Sequence, residues 1–548
     1  MKNTLFVTGF TFCAALCVPA HCQTIAKPKL IVAIAVDQFS SDLFNEYRSS
    51  FNGGLKRLMR GVIFSRGHQG HAATETCPGH STILTGSRPA RTGIIANDWQ
   101  NAGLKRKDKD GKPTYQIYCA EKPGPVGSDA TAQVISTQFL RVPTLGDRMK
   151  ALNPATRVVS VAGKDRAAVM LGGVSADLTI WWNGKAFVTY PEKNVALPPA
   201  LAAINARAAV EIEKPVVQKL SGSCAGRAFA VPVSKTLSVG MLKPRTAGNA
   251  PGWRATPEFD AMTLDAALAG AAQFKLGQGA QTDLLAISFS ATDYIGHSFG
   301  TNGAEMCMQM AALDATLGRL FATLDAAGTA YAVVLTADHG GHDLPERNGI
   351  HGLPAAERVD ALLSAKAVSA RLAKQYGLAE DALIGRASFG DMYLSATIPP
   401  DKRAAILGEA VAIYRAHRQV AAVFTHEELV ATPAPAGPVD EWSLIERAKA
   451  SFDPERSGDF IVLLKPYITP IPDPSSGYVA THGSPWGYDR RVPILFWWKG
   501  VTAFEQPNAV ETVDIMPTLA SLIGLDVPST EIDGRCLDLQ ASAQNNCH

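Results

Sequence analysis

Four stretches of the chain are apolar at almost every position: residues 29–36 (KLIVAIAV), 283–289 (DLLAISF), 331–336 (YAVVLT) and 492–498 (VPILFWW). Runs of this length without polar alternation predict strands covered on both faces, as in the middle of a parallel sheet. Residues 157–162 (RVVSVA) and 61–65 extend the set. Between the strands the period changes. Apolar positions recur at helical spacing over residues 41–59. Farther on, Met306, Met310, Leu313, Leu317, Leu320, Phe321 and Leu324 form one stripe, which predicts a helix laid on a core. Residues 513–524 read as a last helix stopped by Gly524. The order strand–helix–strand predicts an α/β fold, a three-layer α/β/α sandwich with a mostly parallel central sheet. Residues 167–280 and 355–480 break the pattern with short strands, Ala-rich stretches and Gly/Pro turns. They read as cap segments inserted into a single domain spanning 23–548.

Composition narrows this picture. The 548 residues suffice for one large domain with insertions. Charged residues make up 19% and the formal net charge is +2, too balanced for a polyanion-binding surface. No nucleic-acid module is apparent. Residues 1–22 read as a secretory signal: Lys2, then an apolar run over 4–17, then small residues before Ala20 and Cys22. No later segment has the length of a transmembrane anchor, so a periplasmic or secreted protein is expected. Of nine cysteines, Cys13, Cys17 and Cys22 fall in the signal, leaving Cys77, Cys119, Cys224, Cys307, Cys536 and Cys547. Their pairing stays open, though Cys536 and Cys547 are close enough in sequence to close a small loop. No CxxC pair suggests a thiolate metal site.

Candidate chemistry gathers where strands end. Asp37 follows the first strand, Asp293 and His297 follow the 283–289 run, and Asp338 and His339 follow the 331–336 run; His482 comes after a later loop. The carboxyl edge of such a sheet is where ligands bind. Carboxylate and imidazole donors without thiolates suit catalytic zinc, and two ions close together are what phosphoryl transfer uses. Asp293 and His297 are four apart, so one helical turn can aim both at one ion. Thr76 stands just ahead of a helix start marked by Pro78, where free N–H groups attract anions. Taken singly, such a Thr is ordinarily a cap and Asn97 ordinarily a turn residue. Lys164 and Arg166 follow the 157–162 strand. If that segment is extended, both project to one face and form an anion clamp; in isolation they read as a surface pair.

Taken in order, VDQF, TETCPGHSTILTG, Asn97 twenty-one residues after Thr76, the Lys164/Arg166 pair, DxxxH, ADHG, THG and DIMPTLASLIG span most of the chain. This set resembles the alkaline phosphatase superfamily, and within it the PafA-like, phosphate-irrepressible monoesterase branch. The resemblance implies that Thr76 is the nucleophile and is transiently phosphorylated. It implies that Asp37, Asp338, His339 and the Thr76 oxygen hold one zinc ion, and that Asp293, His297 and His482 hold another. Asn97, Lys164 and Arg166 would bind the phosphoryl oxygens. Two cations there favour a monoester dianion over the diester of the related nucleotide pyrophosphatase/phosphodiesterases, with diester side activity retained. Small-molecule phosphate esters are the expected partners and a monomer the expected state. A sulfatase would need Cys or Ser where Thr76 stands and Arg where His80 stands. A non-catalytic metal- or phosphate-binding protein would explain the ligands but leave the Thr76 loop without a purpose. His80 is expected to pack or cap, Cys77 to be buried or disulfide-linked, and His342 and His351 to lie at the surface or behind the ligands. His68, His71, His417 and His426 fit no ligand pattern.

Overall fold

The computed structural model describes residues 27–547 apart from 102, 194, 386 and 542–544; the expected signal at 1–22 lies outside the described residues. Seven strands make up most of the main sheet: β1 Leu30–Val36, β2 Val62–His68, β3 Val158–Ala162, β4 Leu178–Trp182, β5 Asp283–Phe289, β6 Tyr331–Thr336 and β7 Arg491–Trp498. Within a ten-stranded sheet their order is β4–β3–β5–β1–β6–β7–β2. β1 is paired in parallel with both β5 and β6, and β3 joins β5 and β4 in parallel too. β7 runs against both its neighbours. The sheet is therefore mostly parallel, as its unbroken apolar runs predict.

Alternation along β1 divides the interior in two. Leu30, Val32, Ile34 and Val36 face one core, and Ile31, Ala33 and Ala35 face the other. Five helices matter below: α1 Thr76–Ile83, α2 Asp165–Gly172, α3 Ala291–Phe299, α4 Ala304–Ala326 and α5 Ile515–Leu522. The α4 stripe, from Met306 to Leu324, fills the first core. Ile515, Met516 and Leu519 of α5 fill the second. Helices on both faces give the three layers.

Two sequence expectations are corrected. The helix expected over 41–59 is broken into Ser41–Tyr47 and Gly54–Leu58. The break lies where the chain presses on α4. A Cβ on Gly54 would collide with Leu317, and one on Gly53 with the Asp314 carbonyl. The freed N–H groups of Asn52, Gly53 and Leu55 all donate to the Asp314 carboxylate, at 2.7, 2.6 and 2.7 Å. The first insertion also starts later than 167, because α2 packs against the main sheet and β4 lies within it. In the second, strands Leu383–Gly385, Gly390–Leu394, Val420–Thr425 and Phe460–Leu464 form a separate four-stranded sheet. It has its own core around Leu372, Met392, Ile406, Tyr414 and Val462. The open cysteine pairing resolves to Cys77–Cys119, Cys224–Cys307 and Cys536–Cys547.

Asp314 is 2% exposed, so truncating it strands the buried Leu55 N–H and the part-buried N–H groups of Asn52 and Gly53 at once. Asp314→Ala is expected to lower stability by about 3 kcal/mol, read as a shift in the urea midpoint at unchanged slope.

Candidate active site

The register of the central strands sets the site. Ala35 of β1 lies opposite Ser288 of β5 and Thr336 of β6, so these three strands end level. The chain then leaves each within a few residues through Asp37, Asp293 and Asp338, which are 0, 1 and 0% exposed. β3 ends beside β5 at Ala162 and delivers Lys164.

α1 lies across this edge. Thr76 is its first residue, with Glu75 at the N-cap, one position further into the helix than the sequence suggests. Gly79 permits the close approach: a Cβ there would collide with the carbonyl oxygen of Asp338. Lys164 and Arg166 do not sit on an extended strand. Lys164 is the N-cap of α2 and Arg166 lies in its first turn. They still converge, with Lys164 Nζ 3.5 Å and Arg166 Nη2 3.4 Å from Thr76 Oγ1. The shortest contacts of Lys164 are with Asp37 (2.6 Å) and Asp293 (2.5 Å). Burial works against its charge, but Asp293 and Asp37 outweigh it and raise its pKa. Asn97 is tied to the same loop. Its Oδ1 accepts from the Cys77 N–H at 2.8 Å, and its own N–H donates to Glu75 at 2.8 Å. Cys119, disulfide-bonded to Cys77, donates its N–H to the Asn97 carbonyl.

The imidazoles carry a consistent signal. Each of three histidines directs Nδ1 at a backbone carbonyl: His297 at Ala480 (2.8 Å), His339 at Gly340 (2.9 Å) and His482 at Thr74 (2.7 Å). A carbonyl only accepts, so each Nδ1 carries the hydrogen and each Nε2 presents a lone pair. Those lone pairs face carboxylates. His297 and His482 Nε2 lie 3.1 and 3.4 Å from Asp293 Oδ1. His339 Nε2 lies 3.4 Å from both Asp37 Oδ1 and Asp338 Oδ2. Burial lowers the His339 pKa to about 3 and also lowers that of His297. For His482, contact with Asp293 outweighs burial and the pKa rises. Burial, and then the charges of Asp293 and Asp338, push Asp37 well above the usual carboxylate range. Among the described residues, Asp37 Oδ1, Asp293 Oδ1 and His339 Nε2 are buried without a hydrogen bond. Lone pairs pointed at lone pairs in a buried place call for a cation between them. The donor atoms fall into two close groups, Asp37–Asp338–His339 and Asp293–His339–His482. His339 thus stands between the two, and its ring stacks on His482 at 3.6 Å. His297 joins the second group through Asp293, and its Nε2 also meets the Tyr478 hydroxyl at 3.0 Å. The residues present fit metal ions.

Every site residue expected from sequence is therefore brought to one edge. His80 was underrated. It is fully buried, with Nδ1 3.0 Å from Asp338 Oδ2 and 2.9 Å from the Thr76 carbonyl. The signal was its i+4 spacing from Thr76 on one helix. His342 is buried against Tyr467 and Tyr488, and His351 is exposed. His68 and His71 are buried away from the ligand groups, and burial lowers the pKa of each to about 3. His417 meets Asp360, and His426 lies against Phe452.

Residues 31–485 match the family model described as Type I phosphodiesterase / nucleotide pyrophosphatase. The chain is 52% identical over 527 residues to alkaline phosphatase PhoK of Sphingomonas sp, covering 95% of this chain and 92% of the relative. It is 47% identical over 537 residues to alkaline phosphatase PhoD of Zymomonas mobilis subsp. mobilis, covering 97% and 92%. The crystal structure of alkaline phosphatase PafA superposes with a TM-score of 0.78 at 24% identity, over 94% of this chain and 99% of that one; this likeness speaks for the fold. Among the described residues no helix is long and apolar enough to cross a membrane. With groups that could hold metal ions gathered at one sheet edge, the chain belongs to the type I phosphodiesterase/nucleotide pyrophosphatase family and is an alkaline phosphatase.

Proposed function

We propose that this alkaline phosphatase is an exported, monomeric, zinc-dependent phosphomonoesterase that works through a phosphothreonine at Thr76, with side activity on diesters. One observation carries the reading. The Thr76 hydroxyl opens a helix within 3.5 Å of the buried Lys164 and 3.4 Å of the half-buried Arg166, beside two groups of atoms that could hold metal ions. The signal pattern at 1–22 and the disulfides support export.

Asp37, Asp338, His339 and Thr76 Oγ1 would hold one zinc ion, and Asp293, His297 and His482 the other. Bound there, such ions lower the pKa of an attacking oxygen and neutralise charge on the phosphoryl and leaving oxygens. The protein's own part is placement. Thr76 supplies the attacking oxygen, which a free hydroxyl at neutral pH scarcely can without activation. Because the Asn97 Oδ1 is engaged by the Cys77 N–H, its Nδ2 group is the donor turned to a phosphoryl oxygen. Lys164 contributes a point charge and Arg166 a planar fork of donors. Together they match the second negative charge that separates a monoester from a diester.

Thr76→Ala is expected to lower kcat by at least about 10³-fold while still binding inorganic phosphate. In the unmodified protein, acid quenching during turnover should leave phosphate on Thr76, detectable by mass spectrometry; label on another residue would remove Thr76 from its role. Prolonged chelation should abolish activity, with zinc restoring it; restoration by magnesium alone would refute the metal assignment. Replacing Lys164 and Arg166 by Ala should cost a monoester at least about 10²-fold in kcat/KM and a diester with the same leaving group much less. Equal losses would favour a phosphodiesterase.

A further inference from the structure

His80 is 0% exposed and occupies the position one turn beyond Thr76 in α1. Both its ring nitrogens are engaged. Nδ1 lies 2.9 Å from the Thr76 carbonyl oxygen and 3.0 Å from Asp338 Oδ2, and Nε2 lies 2.8 Å from Ser288 Oγ. The acceptors fix the tautomer. A carbonyl and a carboxylate only accept, so Nδ1 carries the hydrogen. The hydrogen lines up on the carbonyl, with the carboxylate oxygen alongside. Nε2 meets the Ser288 hydroxyl, a group that can donate or accept. The three contacts join the nucleophile's helix, the end of β5 and the residue that leaves β6. Gly79, next to His80, already seats α1 on the Asp338 backbone. An apolar side chain of similar volume would fill the space but leave Ser288 Oγ and Asp338 Oδ2 without these partners.

We infer that His80 is a positioning residue: with its Nδ1–H donated to the Thr76 carbonyl and the same nitrogen 3.0 Å from the Asp338 carboxylate, it holds the nucleophile and that carboxylate in one fixed relation. This rests on the reading of Asp338 as a metal ligand. The arrangement extends the familiar partnering of metal ligands by buried hydrogen-bond donors, whose loss commonly costs about 10–100-fold in metal affinity or activity. The ligand supported here is a carboxylate and the supporting group an imidazole. Ser288 acts one step further out, by holding the other side of the ring through Nε2.

The test compares His80→Leu, His80→Ala and His80→Asn in the full-length protein. Zinc retention is measured by chelator competition, kcat and KM at saturating zinc, and melting of the metal-free protein as a control for folding. In Asn the Nδ2 group falls near the place of the imidazole Nδ1. The Leu and Ala variants should hold zinc about 10–100-fold less tightly and lose kcat, and Asn should recover most of both. Leu behaving like the unmodified protein, or Asn doing no better than Ala, would overturn the inference. Should the Leu and Ala variants melt below the working temperature, Ser288→Ala is the second probe. It should weaken zinc retention in the same direction by a smaller factor, and unchanged retention would overturn the inference. Asp338→Asn separates the two levels. If it retains zinc normally, the ligand reading itself falls; if it loses zinc while His80→Leu does not, only the role of His80 falls.

Discussion

Like charge buried in one place is the constraint on which this molecule turns. Asp37, Asp293 and Asp338 stand within four residues of the ends of neighbouring strands, Asp293 in the first turn of α3, and each is buried. Carboxylates that close, out of water, oppose one another's ionisation, which is why Asp37 is pushed well above its ordinary range. Three imidazoles deepen the problem by aiming lone pairs at the same oxygens. A fold maintains such a cluster only when cations complete it. Lys164 supplies one positive charge at 2.6 and 2.5 Å. The remaining negative charge is what suits the site to the metal ions proposed above rather than to a closed ion pair.

The central sheet makes that concentration possible. A parallel sheet brings successive strand ends to one edge, and pairing of β1 with both β5 and β6 leaves no offset between them. The two cores that flank β1 hold the edge rigid. Functional groups placed on strand ends and helix starts are positioned more precisely than groups on loops. The cost falls on the strand ends themselves, where charged groups stand without solvent.

Sequence showed much of this because the sheet and the ligands follow short-range rules. An unbroken apolar run marks a doubly covered strand, and a carboxylate straight after it must stand at the edge. Four features escaped because they depend on partners or helix starts that the apolar pattern does not reveal. The break between Tyr47 and Gly54 is dictated by Asp314, whose carboxylate accepts from the freed N–H groups. The assignment of 167 to an insertion failed because helix α2 and strand β4 are short, and their place in the sheet comes from pairing with β3 rather than from pattern. Lys164 and Arg166 were read as alternating along a strand. They converge instead because one caps α2 and the other lies in its first turn. His80 looked like a packing residue because its partners, Asp338 and Ser288, lie more than two hundred positions away in sequence.

The start of α1 shows how strongly Thr76, the proposed nucleophile, is constrained. Glu75 accepts from the Asn97 N–H, and the N–H of Cys77, two residues on, donates back to Asn97. Cys77 is bonded covalently to Cys119, which donates to Asn97 again. Gly79 lets the helix touch the Asp338 backbone, and His80 reaches the Asp338 carboxylate. Every residue from 75 to 80 except Pro78 is thus tied to a substrate-facing or ligand-bearing residue, or, as Thr76, is the residue being placed. Fixing a reacting oxygen before substrate arrives removes orientational freedom that would otherwise be lost on the way to the transition state. A threonine hydroxyl is a weak nucleophile, so an enzyme that uses one gains most from this kind of restraint. The short helix does not merely carry Thr76: it is the piece through which the proposed metal ligands, phosphate-binding groups and attacking oxygen share one geometry.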